Sequence, residues 1–332
     1  MKQTIIVLGT WSSGSGAVAD YLSSRKELVN PFGANEFKIS TDPKGLHFLY
    51  NNCYLKKDLL YPSYVFDEFK EYIFNIQKYP VYSDFGKRNK IYDKKLISIT
   101  NQFLDNVAKT RYYGFPHYKA LSLSFNENIK VKLKKKFLNK NYADMKILPI
   151  IIPVDKNKFL KLSKKYIGDV IQSSIKKNIS SSRIVLNNAA NITDPIYSSQ
   201  YYPNRKIICV TRDPRDIFSG MKMRQANSTP WQNVNIFIDW FKYFFANKKF
   251  QEILKDKKIL HVKFENFINN FEKENSRIIK FLNLSKKINF KTGTENIFNL
   301  NYSKKNIYKS KKYLTKYELK LIEKRLKNFL QW

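Results

Sequence analysis

Short apolar runs rich in β-branched residues punctuate the chain at Thr4 to Leu8, Ile147 to Ile152, Arg183 to Leu186, Lys206 to Thr211 and Ile259 to Phe264. Each has the length of a strand. Between several of them the apolar positions recur with a helical period, most clearly in "KFLKLSKKYIGDVIQSSIKK" from Lys158 and "WQNVNIFIDWFKYFFANKKFQEILK" from Trp231. Strands alternating with helices predict an α/β fold with a mostly parallel central sheet flanked by helices, because parallel strands need crossover connections. Near the end, "YLTKYELKLIEKRLKNFL" places Thr315 as an N-cap with Glu318 three residues on, followed by a cationic helix. No repeat or glycine-serine linker marks a boundary, so residues 1–332 are expected to form a single domain. The irregular stretch 84–157, rich in lysine and tyrosine, is expected to be an insertion that faces the substrate.

Charge changes the picture less than its size suggests. The sequence holds 61 basic and 27 acidic residues, a net +34. That field attracts nucleotides, nucleic acid, acidic glycans or an anionic membrane face. The lysines are spread through every segment, however, as a compositionally biased genome would also produce, so charge alone does not select nucleic acid. Cys53 and Cys209 are the two cysteines. Cys209 sits within "KIICV", where cysteine acts as a small buried hydrophobe, and neither a disulfide nor a metal cluster is expected. No run of about eighteen apolar residues exists, and Thr4 to Leu8 is too brief for a signal-peptide core. A cytoplasmic location is expected, with peripheral contact at the inner membrane face allowed by the charge.

Chemistry concentrates in two stretches. In "IIVLGTWSSGSGAVADYL", Gly9 and Gly14 have the spacing of the triphosphate loop G-x-x-x-x-G-K-[ST]. The lysine position is Ser15 and the hydroxyl position is Gly16, so the phosphate-neutralising ammonium and the magnesium anchor are both missing. A nucleoside-triphosphate hydrolase is disfavoured. What remains is a strand, a small-residue loop and a helix N-terminus near Ser15, which favours an anion, with Ser12, Ser13 and Ser15 as hydroxyl donors. The bland alternative is a strand–glycine–helix turn that binds nothing. In "KIICVTRDPRDIFSGMKMR", a buried strand ends at Thr211 and Arg212 follows, with Asp213 as N-cap and Pro214 at the first helical position. Arg212 thus stands at the carboxyl rim of the sheet with a fork suited to phosphate, unless it only pairs with Asp213 or Asp216.

Together "GTWSSGSG" and "VTRDPRD" resemble the sulfotransferases that use 3′-phosphoadenosine-5′-phosphosulfate (PAPS). Two later stretches, "ILHVKFENFINNFEKENSRIIKFLNL" and "YSKKNIYKSKKYLTKYELKLIEKRL", resemble that family's late strand–helix and C-terminal basic loop. The resemblance implies a P-loop-like architecture. It gives Gly9, Ser13, Gly14, Ser15 and Gly16 to the 5′-phosphosulfate and Arg212 to the 3′-phosphate.

Two positions depart from the pattern. Ser12 stands where the family commonly has a lysine or arginine that stabilises the leaving oxygen, and it enters as both a catalytic and a cofactor-contacting candidate. Gly220 stands where a phosphate-binding serine is usual, with Ser219 one place early, and both remain candidate contacts. Lys38, Lys44, Lys304, Lys305 and Lys309 are candidate replacement cations, with Lys304 and Lys305 favoured because the family's basic loop closes over the nucleotide. Glu36 lies where several carbohydrate sulfotransferases carry an acidic catalytic residue, and it could equally be a solvated loop glutamate. Among the histidines His47, His117 and His261, the last alternates with apolar residues and reads as structural.

The implied activity is sulfuryl transfer from PAPS to a hydroxyl or amine, in a glycan or lipid-linked glycan by analogy, without a metal and without a specific nucleic acid partner. The rivals are a nucleotide- or polyanion-binding protein without catalysis and a P-loop phosphotransferase.

Overall fold

The computed structural model describes residues 3–33, 35–56, 61–78, 81–82, 88–89, 92–114, 124–138, 148–175, 183–225, 229–286 and 298–331. It divides into two compact units, one formed by Met1–Lys38 with Ser174–Trp332 and the other by Ile39–Ser173. In chain order the strands are β1 (Gln3–Leu8), β2 (Leu28–Val29), β3 (Val81–Tyr82), β4 (Arg88–Asn89), β5 (Ala108–Gly114), β6 (Leu148–Pro153), β7 (Arg183–Asn187), β8 (Lys206–Thr211) and β9 (Ile259–Lys263).

In the first unit five strands form one parallel sheet in the order β2-β7-β1-β8-β9. This is the α/β class that the alternating pattern predicts. Central β1 has Val7 level with Asn187 of β7 and with Ile208 of β8. The carboxyl ends of three strands therefore reach one edge, and whatever follows them in sequence is delivered there. Residues 9–14, Asn188 and Arg212 are those followers.

Apolar side chains of the sheet, including Ile5, Val7, Ile208 and Val262, pack with Val18 and Leu22 of the helix Ser15–Ser24 and with Phe267, Ile278 and Leu282. A second core joins the helices Pro214–Arg224, Val234–Phe245 and Lys316–Arg325 through Ile217, Phe218, Phe237, Phe241 and Ile322. Thr315 forms the expected capping box with Glu318.

Two expected elements come out differently. The apolar run near Ile147 is a strand, but it pairs antiparallel with β5, with Tyr112 opposite Ile150, and does not join the parallel sheet. Pro149 and Pro153 bracket it and lack N–H donors, which suits a short two-stranded ribbon better than the interior of a sheet. The long helix expected from Trp231 is two helices, Val234–Phe245 and Lys248–Ile253. The side chain of Asn247 accepts from the N–H of Phe250 at 2.8 Å, capping the second helix and so ending the first.

The second unit holds the helices Leu46–Tyr54, Tyr61–Lys78, Leu96–Val107, Phe125–Leu138 and Lys156–Ser174. Its core is aromatic: Phe103 stacks on Tyr166 at 4.5 Å between ring centres, with Phe69 and Phe159 edge-on to them. The hydroxyl of buried Tyr166 is satisfied by Thr100 at 3.0 Å. The whole stretch 84–157 falls within this unit, although residues 84–87, 90–91, 115–123 and 139–147 lie outside those described.

Candidate functional site

The loop after β1 curls tightly over its own first residue. The N–H of Ser13 donates to the carbonyl of Thr10 at 3.1 Å. Ser13 and Ser15 lean over Gly9 so closely that a Cβ there would stand 2.1 Å from Ser13 Oγ. Gly14 takes a left-handed φ of 88° and faces the Phe264 ring, where a Cβ would meet carbons at 2.2 Å. Both facts demand glycine. The helix Ser15–Ser24 begins at once with no side-chain cap, and its first intrahelical bond runs from Val18 N to Gly14 O. The N–H groups of Ser15, Gly16 and Ala17 are thus left toward the loop, and Gly16 opens on free space.

Beyond β8, Asp213 caps the helix Pro214–Arg224 by accepting from the N–H of Arg215 at 2.9 Å, with Pro214 at the first turn. Arg212 is only 8% exposed. Its Nη1 donates to the carbonyl of Ser12 at 2.8 Å, and its Nη2 donates to the carbonyl of Asn306. Phe264 lies beneath the guanidinium at 5.1 Å, so one ring braces both Gly14 and Arg212. The ion pair with Asp216 is loose, at 3.8 Å. Arg212 therefore does more than form a local ion pair: it ties the first loop to the second anchor and both to the C-terminal segment.

The two departures from the family pattern meet in space. A Cβ at Gly220 would come within 2.6 Å of Ser12 Oγ and 2.7 Å of Ser12 Cβ. Ser12 holds a left-handed φ of 61° with its side chain against that glycine. One unusual residue accommodates the other. Ser219, beside Gly220, is fully buried.

Buried Asp216 organises the C-terminal segment by accepting from the N–H groups of Tyr308 at 2.8 Å and Ser310 at 3.0 Å. This brings in Lys309, whose pKa is pushed down first by desolvation and then by the charges of Arg212 and Arg224. Lys304 and Lys305 are exposed at the end of the short helix Leu300–Lys304. Lys44, in the second unit, is paired with Glu68 at 2.5 Å.

Glu36 is connected to the first loop through a residue that the sequence pattern did not single out. Asn188 Oδ1 accepts from the N–H of Gly9 at 2.9 Å, and its Nδ2 donates to Glu36 Oε1 at 2.5 Å. Lys38 Nζ lies 3.0 Å from the other carboxylate oxygen. Sequence reasoning also missed Phe264 and Glu265, whose signal was only their place immediately after a strand. Glu265 accepts from the N–H of Asp213 at 2.9 Å, and burial pushes its carboxyl up to about 7. His261 Nε2 lies 2.7 Å from Thr211 Oγ1, and burial lowers its pKa to about 4. His117 lies outside the described residues.

Ser13 Oγ, Ser219 Oγ, Ser310 Oγ and Arg212 Nε are all buried and have no hydrogen-bond partner. A buried donor without an acceptor costs about 1–3 kcal/mol, so four in adjoining segments describe a place built for a ligand that brings acceptors. With Lys309 and the helix N-terminus beside them, the arrangement fits phosphate or sulfate oxygens. Among the described residues no group of three or more His, Cys, Asp or Glu stands close enough to hold a metal ion. No described helix is long and apolar enough to cross a membrane.

Residues 106–287 match a sequence-family model described as the sulfotransferase family. No curated protein matches the sequence. Among solved structures the chain is similar to a sulfotransferase domain from the curacin biosynthetic pathway, at 14% identity, 98% of each chain covered and a TM-score of 0.43. It is also similar to sulfotransferase STF9 from Mycobacterium avium, at 10% identity over 99% of this chain and 76% of that one, TM-score 0.38. A third is retinol dehydratase in complex with androsterone and inactive cofactor PAP, at 12% identity over 99% and 80%, TM-score 0.34.

Proposed function

This chain belongs to the sulfotransferase family, and from that premise we propose that it moves a sulfuryl group from PAPS to a hydroxyl or amine of a carbohydrate or glycoconjugate. The observation that carries the reading is the 2.8 Å bond from Arg212 to the carbonyl of Ser12, which unites the two anchors around four unpartnered buried donors. Gly9, Ser13, Gly14, Ser15 and Gly16 would hold the 5′-phosphosulfate. Arg212, Ser219 and the C-terminal segment would hold the 3′-phosphate, with Lys309 nearer to this task than exposed Lys304 and Lys305. A cytoplasmic setting and an acceptor-facing role for 84–157 belong to the same proposal.

Bound PAPS supplies the sulfuryl group: the acceptor atom bonds to sulfur as the bond from sulfur to the 5′-phosphate oxygen breaks, and 3′-phosphoadenosine 5′-phosphate (PAP) leaves. Glu36 takes the proton released from the acceptor. Asn188 fixes its carboxylate relative to Gly9, so the base and the loop move as one piece. Phe264 shields Arg212 from water on one side, which strengthens its attraction for an anion. The loop itself offers no cation, since residues 9–16 include neither lysine nor arginine, and Ser12 gives its carbonyl to Arg212 and lies with its side chain against Gly220. Lys38, held at Glu36, and Lys309 are the cations best placed to compensate.

That same absence favours one rival, a nucleotide-binding protein without transfer. Incubation with radiolabelled PAPS and a mixed glycan extract separates the two. Labelled product with release of PAP is expected, and Glu36→Gln lowers kcat by about a hundredfold or more with nucleotide affinity unchanged. Tight PAP binding with no transfer to any acceptor would leave only the rival.

A further inference from the structure

The helix Phe125–Leu138, "FNENIKVKLKKKFL", buries Val131 and leaves its other large apolar side chains, Leu138 at its end included, exposed. Val131 is buried, and Glu127 and Asn128, which share its side of the helix, are half-buried. Phe125, Ile129, Leu133 and Phe137 recur at every fourth position on the opposite side, and they are 78%, 40%, 49% and 74% exposed. Their file runs about 18 Å along the axis. Large apolar side chains scattered singly on a surface need no explanation, but four in a row do.

Lysine surrounds the stripe. Lys130 lies along one border and Lys132 along the other, and Lys134 and Lys135 continue the cationic surround. Lys136 falls within the arc of the stripe, with its ammonium over the Phe137 ring at 5.9 Å from the ring centre. Glu127 is the only acidic residue of the helix. We propose that this helix docks in the plane of an anionic phospholipid surface, with the Phe125–Phe137 stripe in the acyl boundary and the flanking lysines among the headgroups.

Charge complementarity selects that occupant. A second copy meeting stripe to stripe would press two lysine borders together on chains that each carry +34. An anionic bilayer satisfies the apolar file and the lysine borders at once. At 14 residues the helix is too short to cross the membrane and suits lying on it. None of these residues belongs to the nucleotide site, so the inference stands apart from sulfuryl transfer.

Sedimentation of the full chain with vesicles tests it, comparing phosphatidylcholine alone with phosphatidylcholine mixed with phosphatidylserine. Binding to the anionic vesicles should be at least about tenfold stronger, should weaken in high salt, and should fall about tenfold in the double variant Ile129→Asp with Leu133→Asp. Both positions are exposed, so the melting temperature should not change. In a second variant, Phe137→Trp, the added tryptophan emission should shift to the blue with anionic vesicles only, which decides the matter even if the double variant folds poorly. The proposal is overturned by absence of binding to anionic vesicles, by binding that the aspartates leave intact, or by gel filtration showing that the aspartates split a dimer.

Discussion

The loop after β1 and the anchor after β8 occupy the same edge of the sheet, yet they are held in place by different physics. The first is a matter of shape: Gly9 lies under two serines, Gly14 against a phenylalanine ring, and Ser12 against Gly220. The second is a matter of buried charge, with Arg212, Asp213, Arg215, Asp216 and Glu265 all buried, Asp213 bonded to Arg215 and Glu265 and Arg212 facing Asp216. Small residues let the loop close on itself, and under the proposed function would let its backbone approach an anion, whereas buried partners keep one arginine fixed where an isolated guanidinium would not stay dry. A loop of this kind tolerates no added atoms. An anchor of this kind tolerates no unbalanced removal.

Four variants break or sharpen that contrast. Arg212→Ala should have the largest effect, about 3–5 kcal/mol in urea unfolding, because it strips Asp216 of its cation and the carbonyls of Ser12 and Asn306 of their donor. Gly14→Ala follows at about 2–4 kcal/mol, the sum of a left-handed penalty and a collision with Phe264, and should abolish transfer.

Third is Glu265→Gln, read against pH. The folded carboxyl titrates near 7 and the unfolded one near 4.5, so the fold retains the proton longer. Its contribution is fully present below about pH 4.5 and is lost as pH rises through 7. His261, lowered to about 4, gains stability across nearly the same window and masks the loss in the parent. The difference between variant and parent isolates it: Glu265→Gln should gain about 2–3 kcal/mol relative to the parent between pH 4.5 and 7.5. A flat difference would mean that Glu265 titrates at the same pH in the folded and unfolded chain.

Smallest is Gly220→Ser, which restores the family's usual residue and should nonetheless destabilise by about 1–2 kcal/mol through contact with Ser12. Adding Ser12→Gly should recover most of that loss. Additive effects in this double-mutant cycle would separate the two departures again.

Local chemistry was legible in the sequence and long-range placement was not. Asp213 with Pro214, Thr315 with Glu318 and the helix start at Ser15 could be read because a cap and its helix are neighbours along the chain. Asn188 could not, since its tie to Gly9 spans 179 residues and depends on β7 lying beside β1. Lys309 could not be ranked above Lys304 because the bonds from Tyr308 and Ser310 to Asp216, which bring it in, leave no periodic signal. The break at Asn247 was legible in principle, but an asparagine amid so strong an apolar period reads as a tolerated helical residue.

The proposed function requires the two anchors to grip one nucleotide by phosphates at two positions. Calorimetric titration of the chain with PAP and, separately, with adenosine 5′-phosphate tests it most directly. PAP should bind at least about tenfold more tightly, the worth of one charge-assisted phosphate contact, and Lys309→Met should narrow that gap. Equal affinity for the two nucleotides, or none for either, would contradict it.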